Sequence, residues 1–380
     1  MKIISVVGAR PNFMKIAPFI KAINSYQSQS GDALEHLLVH TGQHYDDRMS
    51  TAFFEALDIP AADINLGIGS GTHAEQVGHT MIAFEQVCLQ ERPDWVVVVG
   101  DVNATLACSV TAKKLHIKVC HLEAGLRSGD MGMPEEINRL VTDRLSDLLL
   151  TPDTLSSQNL IGEGASEKQV CFVGNIMIDT LEAQREKAEQ LMLNDILAKN
   201  AISADLKFDL EGSPFALMTL HRPSNVDDKA VLEPIVRFLI DEVAVDMPIV
   251  FAVHPRTQKQ LKTFGLWEEL EACQQILLLH PLGYHEMLRL NMGASIMLTD
   301  SGGLQEECTV LGTPCLTLRW NTERPITLRE HGGASVLVGN AIEHIRKEYH
   351  YTLAQKRQPV RPDLWDGETA ERCLQAILNY

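Results

Sequence analysis

The 380-residue chain holds no C-x-x-C pair and no H-E-x-x-H, so no structural metal is expected. The turn after its first apolar run is not a G-x-x-x-x-G-K-[ST] P-loop, which disfavours a P-loop NTPase. Nor is it G-x-G-x-x-G, which weighs against an ordinary NAD dehydrogenase. No apolar stretch approaches about 18 residues, and the run that starts at Lys2-Ile3-Ile4 breaks after a few residues. Neither a membrane span nor a signal peptide is expected. Positive charge is scarce: 33 Lys and Arg stand against 50 Asp and Glu, a net charge of −17, with a pI near 5.2. That excludes the basic footprint of nonspecific nucleic-acid binding. A phosphate ligand would have to be held by a few local cations.

What is there is 45% hydrophobic and 22% charged, with no low-complexity tract. This composition suits about two globular domains, each with its own core. Eight cysteines are scattered through apolar patterns and read as buried free thiols of a cytoplasmic protein. Short apolar runs alternate with longer amphipathic stretches, as in βα units with parallel sheets. Strands are expected at Ile3–Val7, Leu37–His40, Trp95–Val99, Val119–His121, Leu148–Leu150 and Val170–Val173. In the second half they fall at Phe215–Leu220, Ile249–His254, Ile276–His280, Ser295–Thr299, Cys315–Leu318 and Ser335–Val338. Residues 180–212 are polar and helical and end in Glu211-Gly212-Ser213-Pro214, a natural boundary. The expected architecture is α/β: two doubly wound, Rossmann-like domains over 1–178 and 179–365, facing a central cleft, with a C-terminal helix at 366–380 packing back on the first. Ligands of such sheets bind beyond the carboxyl ends of strands.

Most polar residues of interest fall at those ends. Thr299-Asp300-Ser301-Gly302-Gly303 reads as a strand feeding a glycine turn and a helix N-terminus, an anion site made of free N–H groups and the helix dipole. A carboxylate on the first turn, Glu306 or Glu307, is expected within reach of a ribose diol. Arg10 and Lys15 put two cations after the first strand, suited to phosphate. Asp101 and Glu123 each follow a buried run, and Glu135 and Glu136 follow the helix-opening Pro134. Crowded carboxylates of this kind suit acid/base chemistry at a sugar carbon. Each also has a plainer reading: Asp101 as the cap of the next helix, Glu135 and Glu136 as complements of a helix dipole. His221 at a strand end suits stabilisation of a diphosphate leaving group near neutral pH. Arg324 adds a cation downstream of the glycine turn.

Taken in order, these segments resemble the non-hydrolysing UDP-N-acetylglucosamine 2-epimerases nearly end to end. The matching stretches are Gly8-Ala9-Arg10-Pro11, His40-Thr41-Gly42-Gln43-His44, Gly100-Asp101 and His121-Leu122-Glu123-Ala124-Gly125-Leu126-Arg127. They continue through Pro134-Glu135-Glu136-Ile137-Asn138-Arg139, His221-Arg222, Thr299 to Glu307, and Thr322-Glu323-Arg324-Pro325. The resemblance implies a two-domain glycosyltransferase-type fold, a UDP-sugar substrate, a cytoplasmic homodimer and neither cofactor nor metal. It implies inversion at C2 by anti elimination of UDP to 2-acetamidoglucal and syn re-addition, feeding surface polysaccharide precursors. It assigns Asp101, Glu123, Glu135, Lys15 and His221 to catalysis. Arg10, Ser301, Gly302, Gly303, Glu307 and Arg324 fall to substrate binding, with Glu307 on the ribose.

A second, activating substrate molecule binds many bacterial members, at a site to which Gln43 and His254 would belong. That motif has a Gln where this chain has Asp46 and an Arg-Gln pair where it has Ser70-Gly71. Activation by substrate is therefore not expected. The segments around Gly69 and His254 also match the epimerase of UDP-2,3-diacetamido-2,3-dideoxyglucuronate, the alternative on substrate. A UDP-sugar glycosyltransferase would share the nucleotide site without needing all three carboxylates.

Overall fold

The computed structural model describes residues 1–30, 34–42, 61–202, 209–355 and 357–380. They form two compact units, Met1–Ala183 with Pro362–Tyr380, and Gln184–Arg361. The first unit carries strands β1 (Lys2–Val7), β2 (Glu35–His40), β3 (Ile64–Asn65), β4 (Trp95–Val99), β5 (Lys118–Leu122), β6 (Leu148–Thr151) and β7 (Val170–Phe172). They lie in the order β3-β2-β1-β4-β5-β6-β7, every pair parallel. Residues 95–99 are all buried, because helices cover both faces of a parallel sheet and a strand there must be apolar on both sides. The two-residue strand β3 is one the sequence reading omits: Ile64 and Asn65 are too few to display a period of two.

The C-terminal helix Thr369–Leu378 packs on the helix Arg10–Ser30. Asp179 accepts from the Thr369 and Ala370 amides at 3.1 and 2.7 Å and so satisfies its N-terminus. Trp365, ahead of it, is buried and donates its indole N–H to the Pro152 carbonyl at 2.9 Å.

The second unit holds β8 (Ala216–Thr219), β9 (Ile249–Ala252), β10 (Ile276–Leu279), β11 (Ile296–Thr299), β12 (Cys315–Thr317) and β13 (Ser335–Leu337). Their order is β10-β9-β8-β11-β12-β13, again all parallel. Both sheets are doubly wound, with the strand order reversing between β1 and β4 and between β8 and β11. Those are the positions where such folds leave a crevice for a ligand. Among the described residues no helix is long and apolar enough to cross a membrane. All eight cysteines are free and none is exposed.

Candidate active site

In the first unit the switch point is held by Asn12. Its Oδ1 accepts from the Gly8 and Ala9 amides at 3.2 and 3.0 Å, and its Nδ2 donates to the Val99 carbonyl at 3.0 Å. This ties the turn after β1 to the end of β4. One helical turn beyond Asn12, the buried Lys15 ammonium forms an ion pair with the Glu123 carboxylate, itself buried beyond β5. Between them runs Gly100, φ +66°, at the end of β4. A Cβ there would lie 3.3 Å from Lys15 Nζ and 3.4 Å from Glu123 Oε2. Glycine thus supplies both the backbone conformation and the room for the ion pair. Glu123 itself sits at φ +72°. A left-handed backbone costs a non-glycine residue about 1–2 kcal/mol. The turn tolerates it because the Glu123 and Ala124 amides both donate to the Leu150 carbonyl, at 3.1 and 2.9 Å.

Asp101 does not cap the next helix, whose N-cap is Val102 with no side-chain bond. Its carboxylate is instead paired with the buried guanidinium of Arg139, and its carbonyl accepts from Asn138 at 2.8 Å. Arg139 also donates to Glu136 at 3.0 and 2.7 Å. Burial would raise the Glu136 carboxyl, but the Ser128 and Gly129 amides and Arg139 outweigh it and hold it low. Glu136 is therefore structural and inward-facing, while Glu135, its neighbour on the first turn of the helix Pro134–Leu145, is exposed. The structure thus brings Lys15 and Glu123 together and links Asp101 to the helix of Glu135, which stands apart on its outer face. Arg10 opens the helix after β1, but its side chain lies outside the described part.

In the second unit the turns after β8 and β11 are fastened by Asp300, which is fully buried. It accepts from the His221 amide at 3.0 Å, the Arg222 amide at 2.8 Å and Asn225 Nδ2 at 3.1 Å. Its Oδ1 meets His221 Nδ1 at 2.7 Å. Burial pushes the Asp300 carboxyl up, yet His221 and the two amides hold it below the usual range. An ionised Asp300 accepts hydrogen from His221 Nδ1, which sets the tautomer and orientation of this part-exposed ring. His254 lies beside it, ring centroids 5.8 Å apart. Its Nδ1 accepts the Arg256 amide at 3.2 Å, and burial followed by the charge of His221 lowers its pKa.

Ser301 is the N-cap of the helix Gly302–Leu311, and its hydroxyl does not cap it. The first N–H groups are left for another acceptor. The two glycines do different work. A Cβ on Gly302 would come within 2.7 Å of Glu323 Oε1 and 3.0 Å of Arg324 Nη1, whereas one on Gly303 would meet nothing within 4 Å. Beside Gly302, Arg324 is held between Glu323 and Glu306, with Glu306 Oε1 2.8 Å from Nε, and Arg319 meets Glu323 at 2.6 Å. Burial opposes ionisation of Glu323, but the two guanidinium groups hold its carboxyl well below the ordinary range.

The expectation of an acid on the first turn is corrected: the helix begins at Gly302, so Glu306 and Glu307 are its fifth and sixth residues and no acid is on the first turn. Both are buried, and burial first, then the Glu306 carboxylate, pushes the Glu307 carboxyl up to about 7. Gln43 and Asp46 lie outside the described residues. Ser70 and Gly71 are exposed ahead of Thr72, which caps the helix His73–Glu91 in a reciprocal box with Glu75. Asp300, Asn12 and Arg139 are site residues that the sequence reading passes over. Asp300 and Arg139 lie inside motifs it quotes and Asn12 one residue past another, but their roles depend on a neighbouring strand or helix, which spacing does not reveal.

Two Rossmann-like units, one with ion-paired carboxylates beyond its strand ends and one with an uncapped glycine turn at its switch point, have the framework of a nucleotide-binding enzyme, and comparison with known proteins specifies it as an isomerase. The family model described as UDP-N-acetylglucosamine 2-epimerase matches residues 27–378, and the chain belongs to that family. A relative from Methanocaldococcus jannaschii named UDP-N-acetylglucosamine 2-epimerase is 41% identical over 100% of this chain and 99% of its own. One from Pseudomonas aeruginosa, named UDP-2,3-diacetamido-2,3-dideoxy-D-glucuronate 2-epimerase, is 39% identical over 99% of both chains. The crystal structure of the Methanocaldococcus jannaschii UDP-GlcNAc 2-epimerase in complex with UDP-GlcNAc and UDP superposes with a TM-score of 0.88, at 39% identity, covering 100% of each chain.

Proposed function

We propose that this chain interconverts UDP-N-acetylglucosamine and UDP-N-acetylmannosamine by elimination and re-addition of UDP. The observation that carries the reading is the buried Lys15–Glu123 pair, with Asp101 at the end of the adjacent strand, on a family member. A C2 proton of a sugar is not acidic, so the C1–O bond to UDP must be largely broken before that proton leaves. Carboxylates stabilise the positive charge that develops at C1, and one of Asp101, Glu123 and Glu135 takes the proton, giving 2-acetamidoglucal. Returning a proton to C2 from the other face while the diphosphate oxygen rejoins C1 gives the epimer, so atoms and charge balance over the cycle.

The second unit would serve the leaving group. Ser301 and Gly303 would hold the diphosphate at the helix N-terminus, with Arg10 and Arg324 adding charge and Glu307 taking the ribose. His221, its tautomer set by Asp300, would stabilise the departing UDP. No cofactor is needed for this sequence of steps. A cytoplasmic homodimer supplying surface polysaccharide precursors completes the proposal. The 39% identity to the diacetamido-glucuronate enzyme supports a second reading on substrate alone. Incubation with each UDP-sugar and no acceptor decides between them: proton NMR should show UDP-N-acetylmannosamine arising from UDP-N-acetylglucosamine. Conversion of only the glucuronate would assign the second substrate, and release of free sugar would indicate a hydrolysing enzyme.

A further inference from the structure

The first unit contains a buried charged chain to which the roles above assign nothing. His121, on β5, has none of its surface exposed. Its Nε2 lies 2.8 Å from the Gly100 carbonyl oxygen and its Nδ1 lies 2.5 Å from Asp143 Oδ1. A carbonyl oxygen only accepts, so Nε2 carries hydrogen. The other oxygen of Asp143 accepts from the Gly125 amide at 3.1 Å and from Arg127 Nη1 at 2.7 Å. An amide and a guanidinium donating to one oxygen mark Asp143 as a carboxylate, and an ionised carboxylate has no hydrogen to offer. Nδ1 must therefore carry one as well. The ring is a doubly donating imidazolium, buried beside Asp143 and Arg127, and Arg127 ends the chain on Glu163 at 2.6 Å. Charges alternate along it, which offsets the large penalty for burying any one of them.

Two of its members, His121 and Asp143, hold particular peptides. Gly100 precedes Asp101, and its left-handed turn leaves room for the Lys15–Glu123 pair. Gly125 follows Glu123 by two residues, also at positive φ, and a Cβ there would come within 2.4 Å of the Ser156 carbonyl oxygen. The backbone on the outer side of each carboxylate is thus fastened to one ion chain. We propose that His121 and Asp143 are positioning residues: His121, as an imidazolium, holds the Gly100 carbonyl, Asp143 holds the Gly125 amide, and together they set Asp101 relative to Glu123. This role rests on the epimerase reading, because it gives the register of those two carboxylates a purpose.

Two measurements on the full-length protein test it. In histidine-labelled enzyme, nitrogen NMR near neutral pH should show one imidazole with hydrogen on both ring nitrogens, absent from His121→Gln. A bare nitrogen on that ring would overturn the proposal. Kinetically, His121→Phe keeps the ring's bulk without donors, while His121→Gln restores an amide donor toward the Gly100 carbonyl. Phe should lower kcat about a hundredfold, the scale of a misplacement near 1 Å. Gln should recover a substantial part, and both should keep KM and UDP affinity, because neither His121 nor Gly100 is among the groups proposed to hold UDP. Equal loss in the two variants would reduce His121 to packing, and unchanged kcat in both would also refute the role. If Phe fails to fold, Gln against wild type and the NMR readout decide. A wild-type enzyme inactive on UDP-sugars would overturn the epimerase reading and this role with it, whereas an active enzyme with a neutral His121 ring overturns this role alone.

Discussion

Gly302 and Gly303 are adjacent, yet alanine should act on them in opposite ways. At Gly303 the new methyl meets nothing within 4 Å, and the residue lies in a helix with no positive φ. Replacing such a glycine removes freedom from the unfolded chain and should stabilise the protein by about 0.4–1 kcal/mol. The open space is where a diphosphate would approach the first N–H groups, so the same methyl should weaken UDP binding at least about tenfold, or roughly 1.4 kcal/mol. At Gly302 the methyl would overlap Glu323 Oε1 at 2.7 Å and crowd Arg324 Nη1 at 3.0 Å. Overpacking costs about 1–3 kcal/mol, and here the atoms that must move belong to a buried ion pair. Gly302→Ala should therefore lower Tm, by about 2–4 °C per kcal/mol for a unit of this size. Thermal melts and calorimetric titration with UDP on both variants give the readout. A Gly303→Ala protein that binds UDP like wild type would refute the anion site at this helix.

Replacing Asp101 or Glu135 by its amide, or Glu123 by glutamine, should cut turnover about a hundredfold or more while leaving UDP affinity largely intact. Equal losses of UDP affinity in all three would mark them as structural. Glu307, with its carboxyl pushed from 4.5 to about 7 by burial, holds a proton in the folded state that it lacks when unfolded. The stability this gives is complete below pH about 4.5 and is lost as pH rises through about 7, on the order of 3 kcal/mol. Denaturation midpoints from pH 5 to 8 should fall less steeply in Glu307→Gln than in wild type, and parallel curves would contradict the buried carboxyl's role. With Asp46 and exposed Ser70-Gly71 in place of amide and guanidinium donors, initial rates against UDP-N-acetylglucosamine should be hyperbolic. UDP-N-acetylmannosamine should react without added activator, and a sigmoidal curve would show a working second site.

The central strands are legible because a strand buried on both faces must be a continuous apolar run, as Val96-Val97-Val98-Val99 is, while the part-buried β2, β7 and β13 show as short apolar runs between helical stretches. Ile64-Asn65 is not, being too short to carry a pattern. The glycine turn at Gly302-Gly303 is readable from local chemistry, and so is the placement of Asp101 and Glu123 at strand ends. The helix start at Gly302 is legible too, but at 3.6 residues per turn Glu306 and Glu307 fall on the second turn rather than the first, and their burial depends on what packs against it. Asp300 is passed over because its partners His221, Arg222 and Asn225 sit nearly eighty residues away in sequence and meet it only because β8 and β11 are neighbours. His121 reads as one more residue of a buried strand until Asp143 and the Gly100 carbonyl are seen on its two nitrogens.

The account stands most directly on the fate of one hydrogen. UDP-N-acetylglucosamine incubated with the enzyme in D2O and followed by proton NMR should yield UDP-N-acetylmannosamine carrying deuterium at C2, with deuterium also entering C2 of the recovered substrate. UDP-N-acetylmannosamine formed with its C2 hydrogen unexchanged would contradict elimination through 2-acetamidoglucal and the acid/base roles given to Asp101, Glu123 and Glu135.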